Sequence, residues 1–322
     1  MKMYPYKTHA GFTLIELSIV LVIIGLIVGG VLVGRNLVDA AAVRAQISQI
    51  EKYQTAANTF RGKYGYLPGD IPNPYAAQFG FQARGPYAGQ GDGNGLIQGA
   101  YANAPNNNWD FSIFTGEQAM FWVDLGKAGL IDGTFSTATP TAVINSNITG
   151  AAINQYLPQA KISAAGYVYI WSGGWQGYLN ATSGNGLNYF SVSGVTGAPA
   201  GGGGTAAAVP VMTVAQAYAI DKKMDDGMPQ SGGVMAMDGS MLWASGGPVS
   251  GTPPSENNMG DYDFNNFGPI TTATASPTYD DQNGATSSQT CYSNGDTKTP
   301  EQYSVGVNAG AGVNCVLSFR FQ

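Results

Sequence analysis

From Phe12 the chain reads FTLIELSIVLVIIGLIVGGVLVG, an apolar run whose only charge is Glu16. Ahead of it stands a short polar stretch, MKMYPYKTHAG, charged at Lys2 and Lys7. A secretory signal would be cut after its apolar run, at small residues in an A-x-A-like pattern. No such site follows here, and the chain continues through Arg35, Asp39, Arg44, Gln46 and Gln49. Phe12 to Val33 amounts to about 22 residues, or about 33 Å of helix, which matches the hydrocarbon thickness of a bilayer. The preceding lysines put the N-terminus on the cytoplasmic side. The run therefore reads as a retained membrane anchor with one pass.

The helix is expected to outlast the membrane. Residues 38–53, VDAAAVRAQISQIEKY, hold no Pro or Gly and are rich in good helix formers. Val43, Ile47 and Ile50 fall on one stripe. Continued to about Arg61, such a helix measures about 75 Å, half in lipid and half against an exported domain. Gly62 and the turn-rich YGYLPGDIPNP are the expected break. Within the anchor, Gly25-x-x-x-Gly29 and Gly30-x-x-x-Gly34 are spacings that let helices approach closely in lipid, or ordinary membrane-helix glycine enrichment.

Glu16 has two physical readings. A carboxylate in a membrane segment costs up to about 3 kcal/mol, which makes it a functional residue by default. Thr13-x-x-Glu16 also has the spacing of a capping box, and an acid suits a helix N-terminus.

Gly11-Phe12-Thr13-Leu14-Ile15-Glu16 resembles the prepilin peptidase recognition site of type IV pilins and type II secretion pseudopilins. The resemblance implies cleavage between Gly11 and Phe12 and methylation of the new Phe12 amine. It implies that Glu16 meets the N-terminal ammonium of a neighbouring subunit during assembly. Partners implied are the prepilin peptidase, other pilin or pseudopilin subunits, an inner-membrane assembly platform and membrane lipid. The implied organisation is a leader over 1–11, a long helix over 12–62 that spans the membrane over 12–34, and an exported domain over 63–322. The location is the inner membrane with an exported C-terminal domain, and a cell-surface pilus is a further destination. The segments FRGKYGYLPGDIPNP, EQAMFWVDLGKAGLIDG and AYAIDKKMDDGMP also resemble stretches of large pilin-like proteins.

In that remainder, charged residues make up only 11% of the chain and glycine occurs 46 times, which points to a β-rich, loop-rich domain. Helices are expected over Thr115–Ile131 and Thr213–Asp225. Gly166–Trp171 alternates as a strand, with Tyr167, Tyr169 and Trp171 on one face. Ser304–Asn308 and Val313–Phe321 read as terminal strands, and 194–209 as a surface loop. The fold class expected is α+β: a long N-terminal helix packed on a mostly antiparallel sheet with large loops.

The formal net charge is -6, so no basic footprint for nucleic acid is present. Cys291 and Cys315 lack any zinc spacing; export predicts one disulfide contributing about 3 kcal/mol, the alternative being two unpaired buried thiols. The one histidine, His9, precedes the cleavage site, which leaves the mature chain without triad or histidine-metal chemistry. Carboxylate chemistry survives, but no spacing nominates a catalytic pair, and the chain reads as a non-enzyme.

No small-molecule cofactor is implied, with calcium as the one cation the acidic loops suggest. Asp261, Asp263 and Asn265 alternate as an EF-hand loop begins, without its glycine or closing glutamate. Asp92-Gly-Asn94-Gly and Asp225-Asp226-Gly227 are weaker versions, and solvated turns are the preferred reading of all three. Tyr167, Tyr169 and Trp171, with Trp175 and Tyr178, suit either sugar stacking or packing. The sequence reading is a structural filament subunit, with a minor pilin acting as surface adhesin as the alternative.

Overall fold

The computed structural model describes residues 13–87, 89–99, 113–140, 148–172, 187–195, 197–198, 208–229, 231–238, 291–293, 302–306 and 308–322. The chain divides into two compact units, Met1–Ala42 and Val43–Gln322. Helix α1, Leu14–Tyr64, runs through the boundary. Its good formers carry it past Gly62, and it stops where Gly65 adopts φ 81°.

In the first unit the helix buries nothing. Its large apolar side chains, from Leu14 at 88% to Ile24 at 51% exposed, point outward on all sides. A helix apolar all round belongs in an apolar solvent.

In the second unit one stripe of α1 is buried: Val43, Gln46, Ile50, Tyr53, Ala57 and Phe60, with Gln49 and Ala56 beside them. Ile47, expected on that stripe, is only half-buried, and Gln46 takes its place. The reason is hydrogen bonding. Gln46 Oε1 accepts from the N–H groups of Lys161 and Ile162, and Gln49 donates to Gln159 O while accepting from Lys161 N–H. Two amides thus supply backbone partners to a segment whose pairing with the strand Gly166–Ser172 is confined to the bridge between Gln159 and Tyr167.

Short helix α2, Tyr75–Gln78, lies after the end of α1, and Tyr75 and Phe79 contact Tyr66 and Tyr64. Helix α3, Gly116–Lys127, begins after Thr115 and buries Met120, Phe121, Trp122 and Leu125. Strand β1, Ile148–Thr149, precedes a 3-10 turn at Gly150–Gln155. Then follow β2 (Gly166–Ser172), β3 (Asn188–Val195), β4 (Gly197–Ala198), β5 (Ala208–Val209) and β6 (Met212–Thr213). Helix α4, Val214–Met224, has Thr213 as its cap, with the reciprocal Thr213 and Gln216 bonds of a capping box. The chain continues through β7 (Val234–Asp238), β8 (Tyr292–Ser293), β9 (Gln302–Tyr303) and β10 (Val313–Arg320).

The main sheet runs β2-β3-β10-β6, with β5 against β3 and β7 against β10. All its pairings are antiparallel. The fold is α+β, as the alternation of helical and strand periods predicts. Register places Val168, Val192, Leu317 and Ala236 in one row, and Ile170, Phe190, Phe319 and Val234 in the next. Phe190 from that face contacts Tyr53 of α1 and Phe121 and Trp122 of α3. Both faces of β2 are buried, Tyr167 and Tyr169 on one and Val168 and Ile170 on the other. The predicted aromatic face is therefore a packing face at these two positions; Trp175 and Tyr178 fall outside the described residues.

The strand expected over Ser304–Asn308 sits earlier, at Gln302–Tyr303, because β9 takes its register from β8. Cys291 and Cys315 form a disulfide with Cα atoms 5.1 Å apart, tying this hairpin to β10. Tyr303 Oη adds a hydrogen bond to Asp221 of α4 at 2.7 Å. Gly194, Val195, Gly197, Ala198, Ala208 and Val209, from the segment read as a loop, are strand residues.

Burial pushes the Tyr169 phenol up to about 12, against the pull of hydrogen bonds from Ser193 and Ser191. The folded state then holds the proton more tightly than the unfolded chain, whose tyrosine titrates near 10. Stability from this group is full below pH 10 and is lost as pH rises toward 12, at about 1.4 kcal/mol per pH unit. Thermal melts above pH 10 are expected to fall more steeply for the native chain than for Tyr169→Phe. Equal slopes would show that this phenol is not the group at fault.

Candidate functional site

The N-terminal motif is described from Thr13 onward, and Gly11 and Phe12 lie outside the described residues. Thr13 N–H and Oγ1–H both donate to Glu16 Oε2, at 2.8 and 2.7 Å, and Glu16 N–H donates back to Thr13 Oγ1 at 3.3 Å. The capping-box reading of Glu16 is therefore realised within one chain. It is compatible with a later intermolecular partner, since both donors use the same carboxylate oxygen. The helix that starts here is long and apolar enough to cross a membrane.

A second polar centre lies in the unit Val43–Gln322, where α3 meets the loop 89–98. Glu117 occupies the first turn of α3 and is fully buried. Its Oε1 accepts from Gly91 and Asp92 N–H, and its Oε2 from Gln98 N–H. Asp70, 1% exposed, accepts from Gly93 N–H at 2.7 Å and Gly95 N–H at 2.8 Å. Gly91, Gly93 and Gly95 all have positive φ, which turns successive N–H groups toward the two acids. A side chain at Gly91 would also strike Arg84.

Next to this clasp, Asp124 pairs with Arg84 in a fully buried ion pair and accepts from Gly69 N–H. Asn73 bonds the backbone of Arg84 in both directions. Thus YGYLPGDIPNP, the GDGNG loop and α3 form one hydrogen-bonded body. Burial raises the carboxyl pKa of both Asp70 and Glu117, and their mutual repulsion, with Asp92 nearby, adds to it.

Asp70, Asp92 and Glu117 each bring a carboxylate oxygen within 4.8 Å of the others, and so do Asp221, Asp225 and Asp226. These are two of the three acidic loops noted in the sequence; Asp261, Asp263 and Asn265 lie outside the described residues. Sequence spacing missed Asp70, Glu117 and Asp221, which come from turns and helices distant in the chain. Both groups use their oxygens on backbone, and the second also on two side-chain hydroxyls. Asp221 accepts from Gly227 N–H and Tyr303 Oη, Asp225 from Gly233 and Val234 N–H, and Asp226 from Met228 N–H and Ser231 Oγ. All four oxygens of Asp70 and Glu117 already accept a loop N–H, so the arrangement serves to anchor the loop.

Glu117→Ala would leave three loop N–H groups without their acceptor, at about 1–3 kcal/mol each before relaxation. Urea unfolding is expected to show a loss of about 3 kcal/mol or more, with faster amide exchange at Gly91, Asp92 and Gln98. Unchanged exchange at those three amides would contradict the anchoring role.

Residues 6–32 match the prokaryotic N-terminal methylation motif. No curated protein and no solved structure matches the chain. The matched stretch begins at Tyr6 and takes in the Gly11–Phe12 step, the capped Glu16 and most of the exposed apolar helix. Over these residues the chain carries the signature of type IV pilins and pseudopilins.

Proposed function

We propose that this chain is a structural subunit of a type IV pilus-like filament or a type II secretion pseudopilus. The carrying observation is the methylation motif, placed on a helix start whose one acid is capped and whose following surface is apolar on every side. On this reading the prepilin peptidase cuts between Gly11 and Phe12, removing the 1–11 leader, and the Phe12 amine is methylated. The 12–34 segment holds the precursor in the inner membrane with its N-terminus in the cytoplasm, and the domain over 63–322 is exported. The disulfide between Cys291 and Cys315 suits that oxidising side. Assembly then draws the helix out of lipid and into contact with the helices of other subunits.

Glu16 lowers the cost of its own burial in two stages. Before assembly Thr13 supplies its hydrogen bonds. In a filament the new Phe12 ammonium of a neighbouring subunit supplies the opposite charge, which a low-dielectric surrounding strengthens. The adhesin alternative keeps the same processing but needs an exposed binding face, and Tyr167 and Tyr169 do not provide one, since both are buried.

Intact mass and N-terminal analysis of sheared surface filaments and of membranes tests the reading. A chain starting at methylated Phe12, abundant in sheared filaments, is the expected result for a pilin; the same chain confined to membranes points to a pseudopilin. A chain still carrying Met1–Gly11 in both fractions would sink the proposal. Gly11→Ala is expected to stop processing. Glu16→Ala is expected to be processed but to reduce assembly severely, and normal filaments from it would leave Glu16 with its capping role alone.

A further inference from the structure

The step Asn94–Gly95 sits inside the loop held by Asp70 and Glu117, and its hydrogen bonds follow the polarity of one reaction. Gly95 N–H donates to Asp70 Oδ2 at 2.8 Å. Asn94 Oδ1 accepts from Leu96 N–H at 2.7 Å. Asn94 Nδ2 donates to Asp92 Oδ2 at 3.1 Å and to Gln98 Oε1 at 3.3 Å. The nucleophile has a carboxylate to take its proton and the electrophilic carbonyl has a donor on its oxygen, while the amide nitrogen that departs is held in place by two acceptors. Gly95 has φ 86° and no side chain, and the nearest heavy atom to a Cβ built there is Gln322 Nε2 at 3.9 Å. Asn94 itself is exposed, so water reaches it.

We propose that Asn94 is a self-modification site, at which the Gly95 backbone nitrogen attacks the Asn94 side-chain amide and water completes its conversion to an acid. Asp70 Oδ2 takes the Gly95 N–H proton as the bond from nitrogen to Asn94 Cγ forms. Negative charge gathers on Oδ1, where the Leu96 N–H already points. The bond from Cγ to Nδ2 then breaks. The carboxyl proton returns to the departing nitrogen, which leaves as ammonia, and a cyclic imide remains. Water opens that imide at either carbonyl, giving an aspartyl or an isoaspartyl linkage at position 94. No electrons are exchanged and water is the one co-reactant.

Both products act on the loop. Each replaces an amide that donates to Asp92 and Gln98 with a carboxylate, placed beside Asp92, whose own carboxylate lies within 4.8 Å of those of Asp70 and Glu117. Like charges so close repel, and the isoaspartyl form also lengthens the backbone inside the turn. The conversion is thus a slow, one-way loosening of the clasp, and it stands on the loop geometry independently of the filament reading.

The test follows the full chain in detergent micelles at neutral pH, with peptide mass mapping of position 94 over time, in buffer and in denaturant. The other Asn-Gly pairs, Asn185–Gly186, Asn283–Gly284 and Asn294–Gly295, serve as references in the same samples. Conversion at Asn94 is expected to be at least about tenfold faster folded than denatured, a modest share of what a positioned base supplies. Asp70→Asn, with its fold checked by circular dichroism, is expected to return the rate to the denatured value. Equal rates for native chain in buffer and in denaturant would overturn the proposal, and that comparison decides the matter even if the variant does not fold. A folded Asp70→Asn chain that converts as fast as the native one would equally overturn it.

Discussion

Tyr53, Trp122 and Phe190 meet within 5.0–6.2 Å of one another, and through them α1, α3 and the sheet share one core. Each comes from a different element, so none of the three can shift without opening a large apolar surface to water. Aromatic rings in edge-on contact add about 1 kcal/mol per pair to their burial. The Gln46 and Gln49 amides then set the register of α1 against residues 159–162. Apolar packing alone would tolerate a helix sliding by a turn. Directed hydrogen bonds do not.

The same division of labour recurs around α3. Trp122 and Leu125 face the core, while Glu117 and Asp124 bind backbone of the 69–98 region. Buried carboxylates are costly, and their raised proton affinity records that cost. What offsets it is a loop of glycines whose N–H groups have no strand or helix to join. The loop 89–98 is thereby held by two acids, with one ion pair beside it. The C-terminal hairpin is held by different means, a disulfide to β10 and a phenol to Asp221. In both places a loop-rich domain replaces missing sheet bonds with point contacts to side chains.

The two units of the chain answer to different solvents. Up to Gly34 the described helix offers apolar side chains on every face, with Glu16 closed on its own cap. From Val43 the helix has one buried stripe and a polar remainder. That change of pattern is local in sequence, and it was legible without coordinates. So were the Thr213 cap, β2 and β10, because caps and alternation depend on neighbours along the chain. Ile47 was misplaced because periodicity counts apolar residues and cannot see that an amide finds backbone partners about 115 residues away. The acid clasp was half visible for a similar reason: the glycine loop marks itself, whereas Asp70 and Glu117 look like ordinary surface acids.

By itself, the sequence determined the apolar helix, the lone acid near its start, the motif around Gly11 and Phe12, and the α+β class. These rest on composition and spacing within a few turns of chain, where hydrophobicity and hydrogen-bond reach act locally. Tertiary structure alone decided which aromatics are core, which acids meet, and what those acids hold. Such choices depend on residues such as Glu117 and Gly91, 26 positions apart, being brought together. A carboxylate is a solvated surface group or a buried anchor according to what packs over it, and only the folded chain supplies that.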